Sequence, residues 1–323
     1  MPFTRAAWIW FNGRLVPAAE ANTHVAAHAL HYGTGVFEGI RCYSTDRGPA
    51  VFRLPEHWDR FFASAAVYGL EIPYTREQLT TATAQLILRN GFSYCYIRPL
   101  CFAGAGLLGI RSQNPSETAI LAWPQVAHVG GEAAEKGIRA TISRWRKFDA
   151  SIMPPTAKAS GQYLNSLLAE RDASARGFDE ALLLNAQGDL AEAAVANIFL
   201  VQGGRLRTND TSASALGGIT QASIVAIAQA EGLAVEIGRL RLADLETADE
   251  VFLTGTASEI LPVREVDGRA IGAGGRGPIT TRLQRLFAQA VRGQDPRFAH
   301  WLSYVQSEPG GAKPEMNLAE TAR

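Results

Sequence analysis

Residues 154–166 read PPTAKASGQYLNS: two prolines, a lysine flanked by small residues, then the start of a helix. The prolines keep the chain out of helical geometry ahead of Lys158. Helix-forming residues then run from Gln162 to Arg176. Lys158 thus stands on a loop just before a helix, where small neighbours let a bulky group approach the backbone. Strand-like segments flank this unit, Ile138–Ser143 before it and a run of strands and turns over 179–208 after it. A helix over Thr220–Glu231, strands near Val235 and Val251, and a last helix over Ile279–Val291 follow.

The N-terminal part has its own pattern. Ala7–Phe11 reads as a strand closed by an Asn-Gly turn, with Leu15 and Val16 starting the return. Pro55–Leu70 reads as a helix, with Pro in its first turn and Trp58, Phe61, Phe62, Ala65 and Val67 along an apolar stripe. Thr75–Arg89 predicts a second helix stopped by Asn90-Gly91, and Tyr94–Ala103 and Thr118–Trp123 predict buried strands. Pro124–Gly137 holds a Gly-Gly pair and no clear periodicity. The expectation is therefore an α+β fold in two domains: a small unit over 1–124, a linker over 125–137 and a large unit over 138–306. The Pro/Gly-rich stretch 307–323 reads as a disordered tail.

Of the 323 residues, 47% are hydrophobic and 19% charged, a globular balance that excludes a mainly disordered chain. The formal net charge is zero, which gives no electrostatic reason for a nucleic acid or an acidic membrane as partner. No apolar run reaches the ~18 residues of a membrane span. The opening MPFTRAAWIWFNG lacks the pattern of a signal peptide. Cys42, Cys95 and Cys101 form no C-x-x-C pair and read as reduced, buried thiols. A cytoplasmic, soluble protein is expected.

Two patterns invite the wrong chemistry. Gly104, Gly106 and Gly109 spell G-x-G-x-x-G, but a dinucleotide site needs a helix opening there. The following IRSQNPSE is turn-like, so a close-packed loop is expected. His24, His28 and His31 have metal-like spacing, yet no acidic residue of that segment precedes Glu38, and structural histidines are expected. No G-x-S-x-G elbow is present, so a hydrolase triad has no anchor.

Lysine occurs only at 136, 147, 158 and 313, so arginine serves wherever charge alone is wanted. A primary amine does chemistry that a guanidinium cannot. In an Ala/Gly-lined site desolvation lowers its pKa and frees it as a nucleophile. Glu192 lies among alanines in DLAEAAVANIFLV, and a buried carboxylate there needs a cationic partner. Gly218-Ile219-Thr220 precedes a helix, whose N-terminal N–H groups suit a phosphate, and Thr254-Gly255-Thr256 can add donors. A lysine, a buried carboxylate and two anion-type loops are the parts of a pyridoxal-phosphate site.

With these residues in view, the chain resembles the branched-chain amino-acid aminotransferases, within the fold-type IV (D-amino-acid-aminotransferase-like) pyridoxal-phosphate enzymes. The resemblance rests on WFNG, HALHYGTGVFEGIRCY, YIRPL, AKASGQYLNS, EAAVANIF, GGIT and TGTASEILPV, in the family's order over roughly 8–290. It implies that Lys158 binds pyridoxal 5′-phosphate covalently and then acts as general base and acid. It implies Glu192 at the pyridine nitrogen, Tyr163 at the phenolic oxygen, and Arg60, Gly218, Ile219, Thr220 and Thr256 at the phosphate. The substrate pocket would be lined by Phe37, Gly39, Tyr96, Arg98 and Ala257. Tyr32 and a loop around Leu108 and Ile110 would arrive from a neighbouring subunit of a homodimer or larger assembly.

The resemblance further implies ping-pong transfer of an amino group from an aliphatic amino acid to a 2-oxo acid such as 2-oxoglutarate. Gln125 stands where bacterial members often carry an aromatic residue, and Ala196 where many carry an acidic one. D-amino-acid or amine transaminases and aminodeoxychorismate-lyase-like enzymes share the core set; HYGTGVFEGIR and YIRPL favour the branched-chain type over them. A silent oligomeric binding protein is a further alternative, which the joint presence of Lys158, Glu192, Tyr163 and Arg60 argues against.

Overall fold

The structure is a computed structural model and describes residues 6–124 and 131–305. Gln125, the start of the expected linker and the tail 307–323 lie outside the described residues.

The chain opens with a hairpin, β1 (Trp8–Phe11) and β2 (Arg14–Pro17). Asn12 and Gly13 join them at φ 46° and 92°, the positive angles a two-residue turn needs to match strand twist. A short helix α1 (His28–Tyr32) ends on left-handed Gly33 and leads to β3 (Gly35–Phe37), β4 (Ile40–Thr45) and β5 (Gly48–Phe52). Two helices follow, α2 (Leu54–Val67) and α3 (Arg76–Arg89), then the long strands β6 (Cys95–Ala103) and β7 (Ser116–Trp123). Thr75, the first residue of the helix expected from sequence, is the N-cap of α3: Thr75 and Gln78 exchange hydrogen bonds in a capping box. Asn90 Oδ1 then accepts from the backbone of Ala7 and Trp8, tying the helix end to β1.

The stretch read as featureless linker contains a short helix, α4 (Gly131–Lys136). Beyond it come β8 (Ile138–Ile142), α5 (Tyr163–Ala175), β9 (Glu180–Leu184), β10 (Leu190–Ala193), β11 (Asn197–Gln202) and β12 (Arg205–Thr208). The remainder is α6 (Ile219–Ala230), β13 (Val235–Ile237), β14 (Glu250–Gly255), β15 (Glu259–Val266), β16 (Arg269–Ala270), α7 (Pro278–Val291) and β17 (Leu302–Tyr304). Glu250 fixes the start of α7, accepting from Ile279 N at 2.9 Å and Thr280 N at 2.8 Å.

One sheet runs β17-β5-β4-β6-β7-β1-β2, with β3 also on β6; the other runs β10-β9-β8-β15-β14-β11-β12-β13, with β16 on β15. Pairing is antiparallel except for β12–β13, β8–β15 and β8–β9. The fold is α+β, as expected. Near the end of the stretch 138–306, Leu302 pairs with Phe52 and carries β17 back to the first sheet. Trp58, Phe61, Leu79, Leu86 and Ile97 fill the core under α2 and α3. A second core joins Phe199, Phe252, Leu283 and Phe287 to Tyr43 and Phe52 of the first sheet, so the two sheets share buried apolar surface. The loop carrying Lys158 crosses between the halves. Lys158 N donates to Ser64 Oγ at 3.0 Å, and Phe37 N donates to Lys158 O at 3.0 Å.

Candidate active site

Those two backbone bonds fix Lys158 against α2 and β3, and its side chain enters a cavity of about 1040 Å³. Phe37, Gly39, Tyr96, Arg98, Tyr163, Thr256 and Ala257 line the same space. Lys158 Nζ donates to Tyr163 Oη at 2.6 Å and lies 5.0 Å from the centre of the Phe37 ring. Burial, reinforced by the Arg60 and Arg98 charges against the opposing pull of Glu38 and Tyr96, lowers its pKa to about 8. Burial, with Glu192 adding to it, raises the Tyr163 phenol to about 12. The pair therefore presents a readily deprotonated amine beside a firmly protonated hydroxyl.

Glu192 sits at 6% exposure on β10, just after a register shift against β9. Oε2 accepts from Leu216 N at 2.9 Å, and Oε1 meets the ammonium of Lys147. The sequence required a cation for this carboxylate; the residue that supplies it here, Lys147, was not among the candidates. Its scarcity as a lysine was the available signal. Both line a smaller cavity with Lys158, Tyr163 and Asn197.

At the other end, Arg60 on α2 donates to Glu38 through Nε at 2.6 Å and Nη2 at 2.8 Å, and through Nη1 to Gly217 O at 2.9 Å. Glu38 is fully buried and also accepts from Gly39 N and, at 2.7 Å, from His57 Nδ1. Burial alone would raise the Glu38 carboxyl, but Arg60 and His57 outweigh it and hold it well below the usual range. Burial pushes His57 down against the pull of Glu38, which leaves a neutral ring donating from Nδ1. Sequence reading missed Glu38 and His57, because nothing in FEG or PEHWDR announces that they meet. Gly217 leads into α6, whose first turn (Ile219, Thr220) has no side-chain cap. A Cβ on Gly218 would fall 1.8 Å from Asn197 Oδ1, so only glycine permits this close turn. Asn197 Nδ2 in turn holds Leu216 O at 2.7 Å.

The substrate-side candidates also converge. A Cβ on Gly39 would lie 2.1 Å from Tyr96 Oη, so glycine there is what admits the tyrosine. The Arg98 guanidinium lies over Phe37, 4.7 Å from the ring centre, and donates to Tyr96 Oη at 3.2 Å. Arg41, 2% exposed, pairs with Glu259 at 2.9 Å and reaches the carbonyls of Thr256 and Ala257 at 3.4 Å each. It fastens the β14–β15 turn to the first sheet. Thr254 Oγ1 beside that turn is buried with no hydrogen-bond partner among the described residues.

Tyr32, Leu108 and Ile110 are not brought to this cavity. Tyr32 Oη donates to Leu108 O at 2.6 Å, and the three are exposed together at the surface, 44%, 43% and 71%. The G-x-G-x-x-G loop packs as expected: Asn114 fills it, accepting from Leu107 N and donating to the Gly104 and Leu107 carbonyls. His28 contacts Thr34 Oγ1 and Gly109 O, and His31 contacts Val25 O.

These donors fit pyridoxal phosphate. An arginine and an uncapped helix start suit its phosphate, a buried carboxylate suits its ring nitrogen, and an amine of lowered pKa suits its carbonyl. The amino-transferase class IV family model matches residues 35–266. The branched-chain-amino-acid aminotransferase of Escherichia coli (strain K12) is 41% identical over 94% of this chain and 99% of its own length. That of Pseudomonas aeruginosa is 40% identical over 92% and 97%. The crystal structure of the T.th. branched-chain amino acid aminotransferase with pyridoxamine 5′-phosphate aligns at TM-score 0.91 and 46% identity, covering 93% of this chain and 99% of that one. Structures of the same enzyme complexed with N-(5′-phosphopyridoxyl)-L-glutamate and with 4-methylvaleric acid align at TM-scores of 0.90 and 0.89, each at 45% identity and the same coverage. The chain belongs to the class IV aminotransferases.

Proposed function

We propose that this aminotransferase uses pyridoxal 5′-phosphate to move the amino group of a branched-chain or other aliphatic L-amino acid to 2-oxoglutarate by a ping-pong route. The observation that carries the reading is the amine of Lys158, held 2.6 Å from Tyr163 Oη at the head of a cavity walled by Phe37, Tyr96 and Arg98. Glu192, Tyr163, Arg60, Ile219, Thr220 and Thr256 would hold the cofactor. Bound there, pyridoxal phosphate supplies a carbonyl that amines can join and a ring that accepts electrons.

Lys158 Nζ, an amine of lowered pKa, would take the proton from the substrate Cα, deliver it to the former carbonyl carbon of the cofactor, and carry it the opposite way in the second half of the exchange. Phe37 and Tyr96 exclude water from an aliphatic side chain, while Arg98 offers a cation to a dicarboxylic partner. The T.th. enzyme, complexed with both a glutamate adduct and an aliphatic acid, supports a single site of dual character. Tyr32 and the loop at Leu108 and Ile110 would complete a second subunit's site in a homodimer. The exposed Val25, Leu107, Ile110 and Ile152 support such an assembly. We place the domain boundary in 125–137. Among the described residues no helix is long and apolar enough to cross a membrane, and the three cysteines are free and buried, which supports a cytoplasmic setting.

The test is the visible spectrum of the purified protein before and after L-leucine without acceptor. A yellow band that bleaches with L-leucine, and not with D-leucine, is the expected result. A yellow protein indifferent to L-leucine removes the substrate reading. A protein that cannot be charged with pyridoxal phosphate removes the cofactor. Lys158→Ala should fold normally and lose turnover entirely.

A further inference from the structure

Two of the scarce lysines lie in the same small cavity, and the proposed reaction uses only one of them. Lys136 is a surface residue of α4, paired with Glu132. Lys147 is 10% exposed and meets Glu192, itself 7% exposed in its side chain. Its backbone N–H donates to Leu184 O at 2.8 Å, so its segment is tied to β9, the strand that pairs with β10. Neighbouring Arg144 faces Asp172 at the surface, and Arg146 donates to Asn185 O. The run RWRKF thus turns its arginines to other partners and its lysine to the cavity.

A carboxylate at this depth needs donors that hold it in one direction. Lys147 on Oε1 and Leu216 N–H on Oε2 do so, one oxygen each. Each oxygen keeps a second lone pair for another donor. We propose that Lys147 is a positioning residue: its ammonium holds Glu192 in one fixed direction as the partner of the cofactor's ring nitrogen. The inference rests on the reading of Glu192 given above. Lys147 itself touches neither substrate nor the reacting atoms.

The experiment compares binding of pyridoxal phosphate and of its 1-deaza analogue, which carries C–H in place of the ring nitrogen, to wild type, Lys147→Met and Lys147→Arg. Wild type should prefer pyridoxal phosphate. In Lys147→Met that preference should fall by roughly tenfold or more, since Glu192 loses the partner that fixes its direction. Lys147→Arg should restore most of it. Equal weakening of both compounds in Lys147→Met means a merely structural lysine and overturns the proposal, as does an unchanged preference. Should Lys147→Met fail to fold, Lys147→Arg decides: the cation-retaining variant must keep the wild-type preference, and its loss overturns the proposal. A wild type that binds neither compound, or both equally, overturns instead the reading on which the proposal rests.

Discussion

Glu38 and Glu180 are the same side chain at similar depth, 0% and 8% exposed, and their acidities move in opposite directions. Glu38 collects Arg60, His57 and Gly39 N–H around its two oxygens, and its carboxyl is held well below the usual range. Glu180 uses one oxygen to accept from Ala181 N and Ala194 N, at 3.0 and 3.2 Å, and meets Glu170 on its other side. Burial raises it, and the neighbouring carboxyl raises it further. Depth sets the penalty for charge; the partners decide whether the charge survives it. The ionised one stands under Arg60, the guanidinium proposed above for the phosphate, and fixes its direction.

The sharpest way to break the contrast is Glu38→Gln. An amide keeps one acceptor but turns a donor toward Arg60 or His57, leaving a buried cation half paired. Breaking a buried pair costs about 3–5 kcal/mol, and the retained acceptor reduces this to about 2–3 kcal/mol, measurable by urea unfolding. Arg60 loses its fixed direction, so cofactor affinity should fall at least tenfold. Glu38 also raises the Lys158 pKa, so its removal should shift the free amine further below 8, read from the pH dependence of pyridoxal phosphate incorporation into the apoenzyme. Because the folded Glu38 pKa is depressed, its stabilisation is present above the usual carboxylate range and is lost as pH falls below it. Wild type should therefore lose stability in acid faster than Glu38→Gln does.

How far all this was legible in the sequence depends on whether the signal was local. The helices α2, α3, α5, α6 and α7 and the strands β6 and β7 follow from periodicity, caps and Asn-Gly turns, with ends off by a few residues. Lys158 and Glu192 announced themselves as charges among alanines. Strand β3 has only three residues, β4 and β5 are buried in continuous runs rather than alternately, and β17 pairs only with the distant β5 among the described strands. The missed site residues share that non-local character. Glu38 and His57 are 19 positions apart, and Lys147 and Glu192 lie on different elements, so only the folded chain reveals each pair. Arg41 could be read as belonging to EGIRCY, but not as the clamp on Thr256 and Ala257.

The same contrast predicts a gain at the second glutamate. Glu180→Gln keeps the oxygen that accepts from Ala181 and Ala194, and gives Glu170 a permanent donor in place of a titrating one. A carboxyl whose folded pKa is raised is most favourable at low pH and loses stability as pH climbs from its unfolded value toward the folded one. The variant should thus be more stable than wild type by roughly 1 kcal/mol at pH 8. The gain should shrink toward zero near pH 4, where wild type has its own proton. A pH series of melting temperatures checks it. Equal gains at both pH values would mean that the carboxyl pair does not titrate as described.

The smallest effect belongs to the exposed face of the helix that carries His57 and Arg60. Asp59 accepts from Arg76 Nε at 2.8 Å, nearly the length of the Arg60–Glu38 bonds, but the two side chains are 67% and 49% exposed. Water and salt screen such a pair, and ordering two mobile side chains offsets most of what attraction remains. Asp59→Asn should change stability by no more than about 0.5 kcal/mol and leave cofactor affinity untouched. Set against Glu38→Gln, it isolates burial as the variable, with ion-pair length held nearly constant on one helix. A loss above 1 kcal/mol in the exposed pair would mean that distance, rather than desolvation, ranks the charges along α2.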